Sequence, residues 1–348
     1  MTKLLEIKDK MLRIWGKYET YLYPVVKFVL AFSLFLLINS NIGFMEKLST
    51  VPVALILALV CCVLPQNVTL LVAMLLVLLD MYALSVEVAL TTLILFAAIY
   101  FLYFRFSPKD GVAAILTPIC FKLNIPYIMP IGCGLLRSGY SILAVCGSTV
   151  VYYFLAGIHQ NVSTLVNTTA EDGAEVSSKF SVSVGQLLGN NEMYLVLLVF
   201  VLAFVVVQII RRQSIEHAWK IAIIAGTLIH ICGLFAGYLI LEISGKGILL
   251  VVGSLISMLL GFVLEFFFMN LDYARTERVQ FEDDEYLYFV KAVPKRQVAS
   301  SEKTVKHFGN TASMGKRIDK TKKTEDVDEN VSRRVIAQEL DIDEDWLK

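Results

Sequence analysis

Long runs of apolar residues constrain this chain more than any other feature of its sequence. A helix that crosses the hydrocarbon core of a bilayer, roughly 30 Å thick, needs about 20 such residues. Clear runs of this kind are 24–40, 86–106, 138–157, 192–210, 219–241 and 247–270. The sequence therefore predicts an all-α integral membrane protein with about six to eight transmembrane helices.

Charged residues are distributed unevenly along the 348-residue chain. Residues 271–348 hold 15 of the 31 basic and 17 of the 31 acidic side chains, whereas the first 270 residues are mostly apolar. The net charge of zero is thus an average over a membrane domain and a polar tail. It argues against a soluble enzyme of ordinary composition, a nucleic-acid-binding domain with a basic face, and a secreted disulfide scaffold.

The basic residues predict an orientation, because cytoplasmic loops of membrane proteins carry an excess of Lys and Arg. With residues 1–22 in the cytoplasm, eleven basic residues of the membrane domain and its N-terminal segment lie inside. The three expected outside are Lys47, Lys179 and Lys246. This orientation makes 23–270 a polytopic membrane domain with an external loop at 158–191. Both termini are then cytoplasmic.

Two further apolar regions are interrupted by residues that break helices. Residues 51–83 contain Pro65-Gln66-Asn67, so they form either two short crossings or a re-entrant pair, and charge does not distinguish the two. Residues 111–136 break around Lys122-Leu123-Asn124. Each arm of that region reaches about half a membrane at roughly 1.5 Å per residue, which predicts a re-entrant hairpin from the cytoplasm.

The two broken regions resemble each other, as the halves of an inverted repeat do in secondary transporters. On this hypothesis Gln66, Asn67, Lys122 and Asn124 converge on a solute or an ion. His230 is a further candidate, because it lies halfway along an apolar run and titrates near neutral pH. The structural alternatives are ordinary Pro-containing helices, a buried His bonded to a neighbouring helix, and an interfacial Lys122.

The segment after the last apolar run changes in character. Residues 271–295 read as two short strands around an acidic turn, which predicts a small cytoplasmic β-hairpin. Residues 296–330 are polar and predict a disordered linker. Residues 331–348 form an amphipathic peptide of the kind that binds in the groove of a cytosolic partner. Its candidate partner-binding residues are Val335, Ile336, Leu340 and Trp346.

Motifs of enzymes and of ATP-driven proteins are missing from the sequence. The chain contains no G-x-x-x-x-G-K-[ST], no G-x-S-x-G and no H-E-x-x-H. Its six cysteines lie in apolar stretches and its four histidines are scattered, so the pattern predicts neither a metal nor a cofactor. We therefore expect a protein that is not an enzyme.

Three stretches carry a resemblance: Tyr103–Asp110, Arg211–Ala222 and Val279–Pro294. They resemble a family of multi-spanning membrane proteins from clostridial Gram-positive bacteria, often described as ABC transporter permeases. The resemblance extends over residues 20–295 and implies a bacterial plasma-membrane location. The coupling-loop pattern of ABC importers, E-A-A followed by a distant Gly, is missing from the predicted cytoplasmic turns.

The sequence thus favours permease-like transport of a small solute or ion by a multi-pass protein without its own ATPase. One alternative is a non-transporting membrane scaffold that recruits partners through its cytoplasmic tail. A third is a permease subunit paired with a separate ATPase.

Overall fold

The computed structural model describes residues 2–163, 172–213, 215–243, 245–269, 277–283 and 285–293. Its helices are α1 (Thr2–Asn41), α2 (Val51–Val63), α3 (Gln66–Leu84), α4 (Val86–Phe106), α5 (Gly111–Lys122), α6 (Ile128–Leu136), α7 (Ser141–Gln160), α8 (Asp172–Leu188), α9 (Asn191–Arg212), α10 (Ala218–Ile240) and α11 (Gly247–Phe268). Among these residues, seven helices are long and apolar enough to cross a membrane, and α2 and α5 are shorter apolar helices. The prediction of a multi-pass helical membrane protein is confirmed at this level.

The predicted β-hairpin is confirmed as well. Strand β1 (Glu277–Glu282) pairs antiparallel with β2 (Leu287–Ala292). The Asp283 amide donates to the Tyr286 carbonyl at 2.9 Å and closes the turn between the strands. The side chains of Tyr286 and Phe289 are exposed.

The first three helices run up and down beside one another. The backbone of α1 is kinked at Tyr18, where the polar N-terminal part gives way to the apolar run. Lys27 of α1 donates to the Leu64 carbonyl at the end of α2 at 3.1 Å, so α2 runs antiparallel to α1. Asp80 of α3 accepts from the Met45 amide at 3.1 Å, in the loop after α1. Helices α2 and α3 therefore cover the same length as the apolar part of α1.

Helices α5 and α6 form a hairpin whose two ends lie together. The Arg137 guanidinium that follows α6 lies 3.7 Å from the carboxylate of Asp110, which precedes α5. At the far end of α5, the Lys122 ammonium donates to the Asn41 side chain at 2.9 Å, at the end of α1. We call these two sides of the helix bundle the Arg137 end and the Asn41 end.

The turn at the tip of this hairpin satisfies its own backbone. Asn124 has a φ of 58°, and its backbone amide donates to the Phe121 carbonyl at 3.1 Å. The Ile125 amide donates to the Cys120 carbonyl at 2.9 Å. These two bonds, with Pro126 next in the chain, form a Schellman motif, which ends a helix without leaving its last carbonyls unpaired.

The returning arm α6 is enclosed by other helices. Ile131 and Leu135 are fully buried and pack in one cluster with Val207 of α9 and with residues of α10. A Cβ atom on Gly226 of α10 would come within 2.7 Å of the Val207 side chain, so only glycine permits this approach. Protein therefore covers the broken helix, as apolar surroundings require.

The segment expected to be an external loop contains the helix α8. Val182 and Leu187 of α8 are partly buried against the core, and Ser183 is fully buried. The Gln186 side chain approaches Gly157 of α7. Because serines and a glutamine lie between the apolar residues, the sequence pattern does not indicate this short buried helix face. The segment 158–191 therefore contains a helix at Asp172–Leu188, and its external location stays a prediction.

A substitution at Gly253 of α11 tests the position of the hairpin tip. An added Cβ would collide with the Asn124 carbonyl and lie 3.0 Å from the Tyr127 ring. We expect Gly253→Ala to lower the free energy of unfolding by about 1–3 kcal/mol through overpacking. The measurement is the thermal unfolding midpoint in detergent. Gly185→Ala is the matched control, because a Cβ there meets nothing within 4 Å. Equal midpoints for both variants would contradict the described tip.

Candidate functional site

A polar and aromatic cavity of about 390 Å³ lies at the Asn41 end, between the hairpin tip and the ends of α7, α9, α10 and α11. Its polar lining residues are Asn124, Gln160, Gln186, Asn190, Glu192 and Lys246. Its aromatic lining residues are Phe121, Tyr127, Tyr152, Tyr153 and Tyr238. The mixture of aromatic walls with a few convergent polar groups is typical of a small-molecule site.

Two consecutive tyrosines of α7 form adjacent walls of the cavity. Neighbouring residues of an α-helix point about 100° apart, so Tyr152 and Tyr153 cover different sides. Their ring centroids are 5.9 Å apart and their planes make an angle of 89°. Phe121 of the hairpin stacks on Tyr152 at 4.5 Å and meets Tyr153 edge-on at 5.7 Å. The rings are thus held in place by one another.

One ion pair lies in the cavity lining. Asn190 accepts from the Met193 amide at 3.0 Å and caps α9, which places Glu192 in the first turn of the helix. A carboxylate is favourable there because the helix dipole is positive at this end. Both Glu192 carboxylate oxygens lie 2.7 Å from the Lys246 ammonium. Since the two side chains are 20% and 49% exposed, the pair contributes only about 0–1 kcal/mol and opens readily.

The opposite side of the hairpin is closed at the Arg137 end. Arg211 of α9 donates to the carbonyls of Gly134 and Arg137, both at 3.2 Å. Asp110 is buried beside Arg137; burial raises the pKa of its carboxyl, and the Arg137 charge partly opposes this shift. Between these contacts and the cavity, α6 contributes the fully buried residues Ile131 and Leu135. Among the described residues, the cavity thus lies at the Asn41 end, and the packed helix α6 separates it from the Arg137 end.

The structure does not bring the five sequence-predicted site residues together. Gln66 and Asn67 begin α3 at the Arg137 end, where the Tyr103 hydroxyl donates to Asn67 at 2.8 Å. Lys122 is exposed at the opposite end of α5, where it is bonded to Asn41. The separation arises because α5 begins beside Gln66 and the turn after α5 reaches the end of α1.

Asn124 and His230 lie close to the cavity, in structural positions. Asn124 lines it, but its left-handed backbone identifies it as the residue that ends α5. His230 is fully buried behind the lining, and its ring lies 5.6 Å from that of Tyr127 and 5.5 Å from that of Phe200. The imidazole therefore packs against the Tyr127 ring and does not line the cavity.

Sequence reasoning did not identify the residues that form most of the lining. Glu192 and Lys246 read as ordinary charges at the ends of spans, and the tyrosines read as apolar residues. The adjacent pair Tyr152-Tyr153 inside a span was the available signal, because each phenol is a polar group in an apolar run. The predicted partner-binding residues Val335, Ile336, Leu340 and Trp346 lie outside the described residues.

The fold and the cavity define a multi-pass membrane protein with an aromatic, electrically balanced cavity. No protein-family model, curated protein or solved structure matches this chain.

Two substitutions at Asn124 separate a structural role from a ligand-binding role. Glycine suits a left-handed position, so Asn124→Gly should keep the thermal unfolding midpoint and the affinity for a ligand of the cavity. Asn124→Val should lower the free energy of unfolding by about 1–2 kcal/mol, because a β-branched residue is strained there. Thermal unfolding in detergent measures both. A folded Asn124→Gly protein that loses ligand binding would show that the amide itself is a binding group.

Proposed function

We propose that this protein is a permease-like transporter that moves a small solute or ion across a bacterial plasma membrane without its own ATPase. The observation that carries the proposal is the cavity at the hairpin tip, which lies at the Asn41 end and is separated from the Arg137 end by the packed helix α6. On this proposal the cavity opens at the Asn41 end and is sealed at the Arg137 end. A site beside broken helices is the usual arrangement in secondary transporters. This position also agrees with the tolerance of broken backbone only where it lines a cavity.

The proposed orientation follows from the basic residues. Arg137 and Arg211 meet at one end of the bundle, and Arg105, Lys109 and Lys220 flank the same ends of their helices. The excess of Lys and Arg supports a cytoplasmic Arg137 end. The cavity then faces outward, α2 and α3 each cross the membrane, and α5–α6 is a re-entrant hairpin. Both termini are cytoplasmic in this arrangement.

Transport requires that the sealed end open while the cavity closes. The contacts at that end include the Arg211 bonds to α6 and the packing of α6 on α9. Gly134 packs so tightly that a Cβ there would lie 2.8 Å from Val207, so small shifts of α6 break many contacts together. We infer that movement of α6 against α9 exposes the cavity to the cytoplasm.

The accessibility of Cys133, a buried residue of α6, tests this opening. The protein is reconstituted with its other five cysteines replaced by alanine and is exposed to a membrane-impermeant thiol reagent from the Arg137 end. Charge-assisted hydrogen bonds contribute about 1.5–3 kcal/mol, so Arg211→Ala should accelerate modification of Cys133 about tenfold or more. Mass spectrometry follows the reaction.

The control is Lys220→Ala, which removes an exposed charge from the same end and should leave the rate unchanged. If Cys133 is unreactive in every variant while all remain folded, the seal does not open and the transport proposal is wrong.

A second candidate is the non-transporting scaffold that recruits partners through its tail. The observation that favours it is the exposed aromatic surface of the β-hairpin, where Tyr286 and Phe289 are 62% and 79% exposed. A scaffold predicts that deletion of 331–348, or Phe289→Ser, abolishes capture of a cytosolic partner. It also predicts that the unmodified protein shows no flux. The permease subunit with a separate ATPase predicts instead that flux requires a co-purifying ATPase.

A further inference from the structure

The lining of the cavity indicates which chemical class of ligand it takes, an inference that rests on the proposed function and deepens it. Four tyrosines from the hairpin tip, α7 and α10 line it together with Phe121. The charges in the lining cancel, since Glu192 and Lys246 are its ionisable residues apart from the phenols. No group of three metal-ligating side chains occurs in the described part of the chain. The site is therefore aromatic and electroneutral.

The four tyrosines of the lining, which we call the tyrosine cage, pack against further aromatic rings. Tyr152 and Tyr153 stand nearly perpendicular, and Phe121 packs on both. Tyr127 is supported by Phe200 at 6.4 Å and by His230. Tyr127, Tyr152, Tyr238 and Glu192 line the same cavity as Tyr153. A cage of aromatic faces beside a carboxylate is the arrangement that binds quaternary ammonium groups by cation–π attraction.

A weakly hydrated cation suits this cage better than a primary ammonium does. A primary ammonium is a compact, strongly hydrated charge, so its entry into an aromatic cavity costs its hydration shell. A trimethylammonium group has little hydration to lose and presents methyl groups to the ring faces. The Glu192 carboxylate, which is the more enclosed member of the ion pair, lies where it can balance the positive charge.

The ion pair of Glu192 and Lys246 indicates that the ligand carries an anionic group as well as a cation. A ligand cation near Glu192 takes the place of the Lys246 ammonium, which is half exposed and flexible. Lys246 is then left to pair with an anionic group of the same ligand. We propose that the cavity binds a zwitterion, with its quaternary ammonium in the tyrosine cage beside Glu192 and its anionic group on Lys246.

An apolar groove next to the cavity allows two sources of this zwitterion. The groove has a volume of about 220 Å³, is lined mainly by aliphatic residues of α1, α3 and α7, and shares Tyr152, Ala156 and Gln160 with the cavity. A free betaine would occupy the cavity alone. A phosphocholine lipid would place its headgroup in the cavity and an acyl chain in the groove. Both present the same trimethylammonium and anionic groups.

Equilibrium binding of radiolabelled glycine betaine to the full chain in lipid nanodiscs tests the proposal. In phosphatidylglycerol discs, glycine betaine should bind at least about tenfold more tightly than glycine, which has the same carboxylate but a primary ammonium. Choline, which lacks the carboxylate, should bind more weakly than glycine betaine. Phosphatidylcholine discs distinguish the sources: a lipid headgroup site loses betaine binding there, and a site for free solute retains it.

Variants of the lining residues supply the matched controls. Tyr153→Leu and Glu192→Gln should each weaken betaine binding about tenfold or more, since each removes one element of the cage. Tyr153→Phe keeps the ring and should keep binding within a few fold, which separates loss of the cage from loss of folding. Tyr194→Leu, on α9 but outside the lining, should have no effect.

Three results would overturn the zwitterion proposal. These are equal affinities for glycine betaine and glycine, unchanged binding in a folded Tyr153→Leu protein, and no betaine binding at millimolar concentrations in phosphatidylglycerol discs. If the protein does not bind glycine betaine but Cys133 still becomes accessible to the thiol reagent, the transport proposal stands and only the ligand class is wrong.

Discussion

The rest of the structure depends on how one broken helix satisfies its backbone. A broken helix inside a membrane protein must pair its own amides and carbonyls, be covered by protein or line a cavity. The α5–α6 hairpin does the first two: the Schellman motif around Asn124 pairs the end of α5, and α9, α10 and α11 enclose α6. Pro126 follows the turn and needs no hydrogen-bond acceptor, since it has no amide hydrogen. A short hairpin is thereby stable where a simple loop is not.

The hairpin determines the position of the cavity. Its tip contributes Phe121 and Tyr127 to the lining, while its two ends are joined by the pair of Asp110 and Arg137. Among the described residues, the Asn41 end thus holds the aromatic cavity, and the Arg137 end is packed and basic. This asymmetry is consistent with the proposed transport function. The proposed zwitterion would add no net charge to the cavity, where Glu192 and Lys246 already balance each other.

Much of the fold is encoded locally and was predictable from sequence. The run 86–106 matches α4, the break at Pro65 separates α2 from α3, and the β-hairpin lies where the strand pattern places it. The site was less accessible to such reasoning. Its residues come from segments far apart in the chain, and each has an ordinary local explanation, such as Glu192 in a first helical turn. Only the packing of the helices brings Tyr153, Tyr238 and Glu192 together.

The position of the hairpin tip at the Asn41 end is the central claim, and cysteine cross-linking between α1 and α5 tests it most directly. In a background without native cysteines, a bifunctional thiol reagent that spans about 10 Å should join Asn41→Cys to Lys122→Cys, because the Lys122 ammonium lies 2.9 Å from the Asn41 side chain; such a reagent is needed because a direct disulfide requires Cα atoms within about 7 Å. The pair Gln66→Cys and Lys122→Cys should remain unlinked, since the 12-residue α5 separates them by about 17 Å. Efficient linkage of Lys122→Cys to Gln66→Cys, and none to Asn41→Cys, would contradict the account.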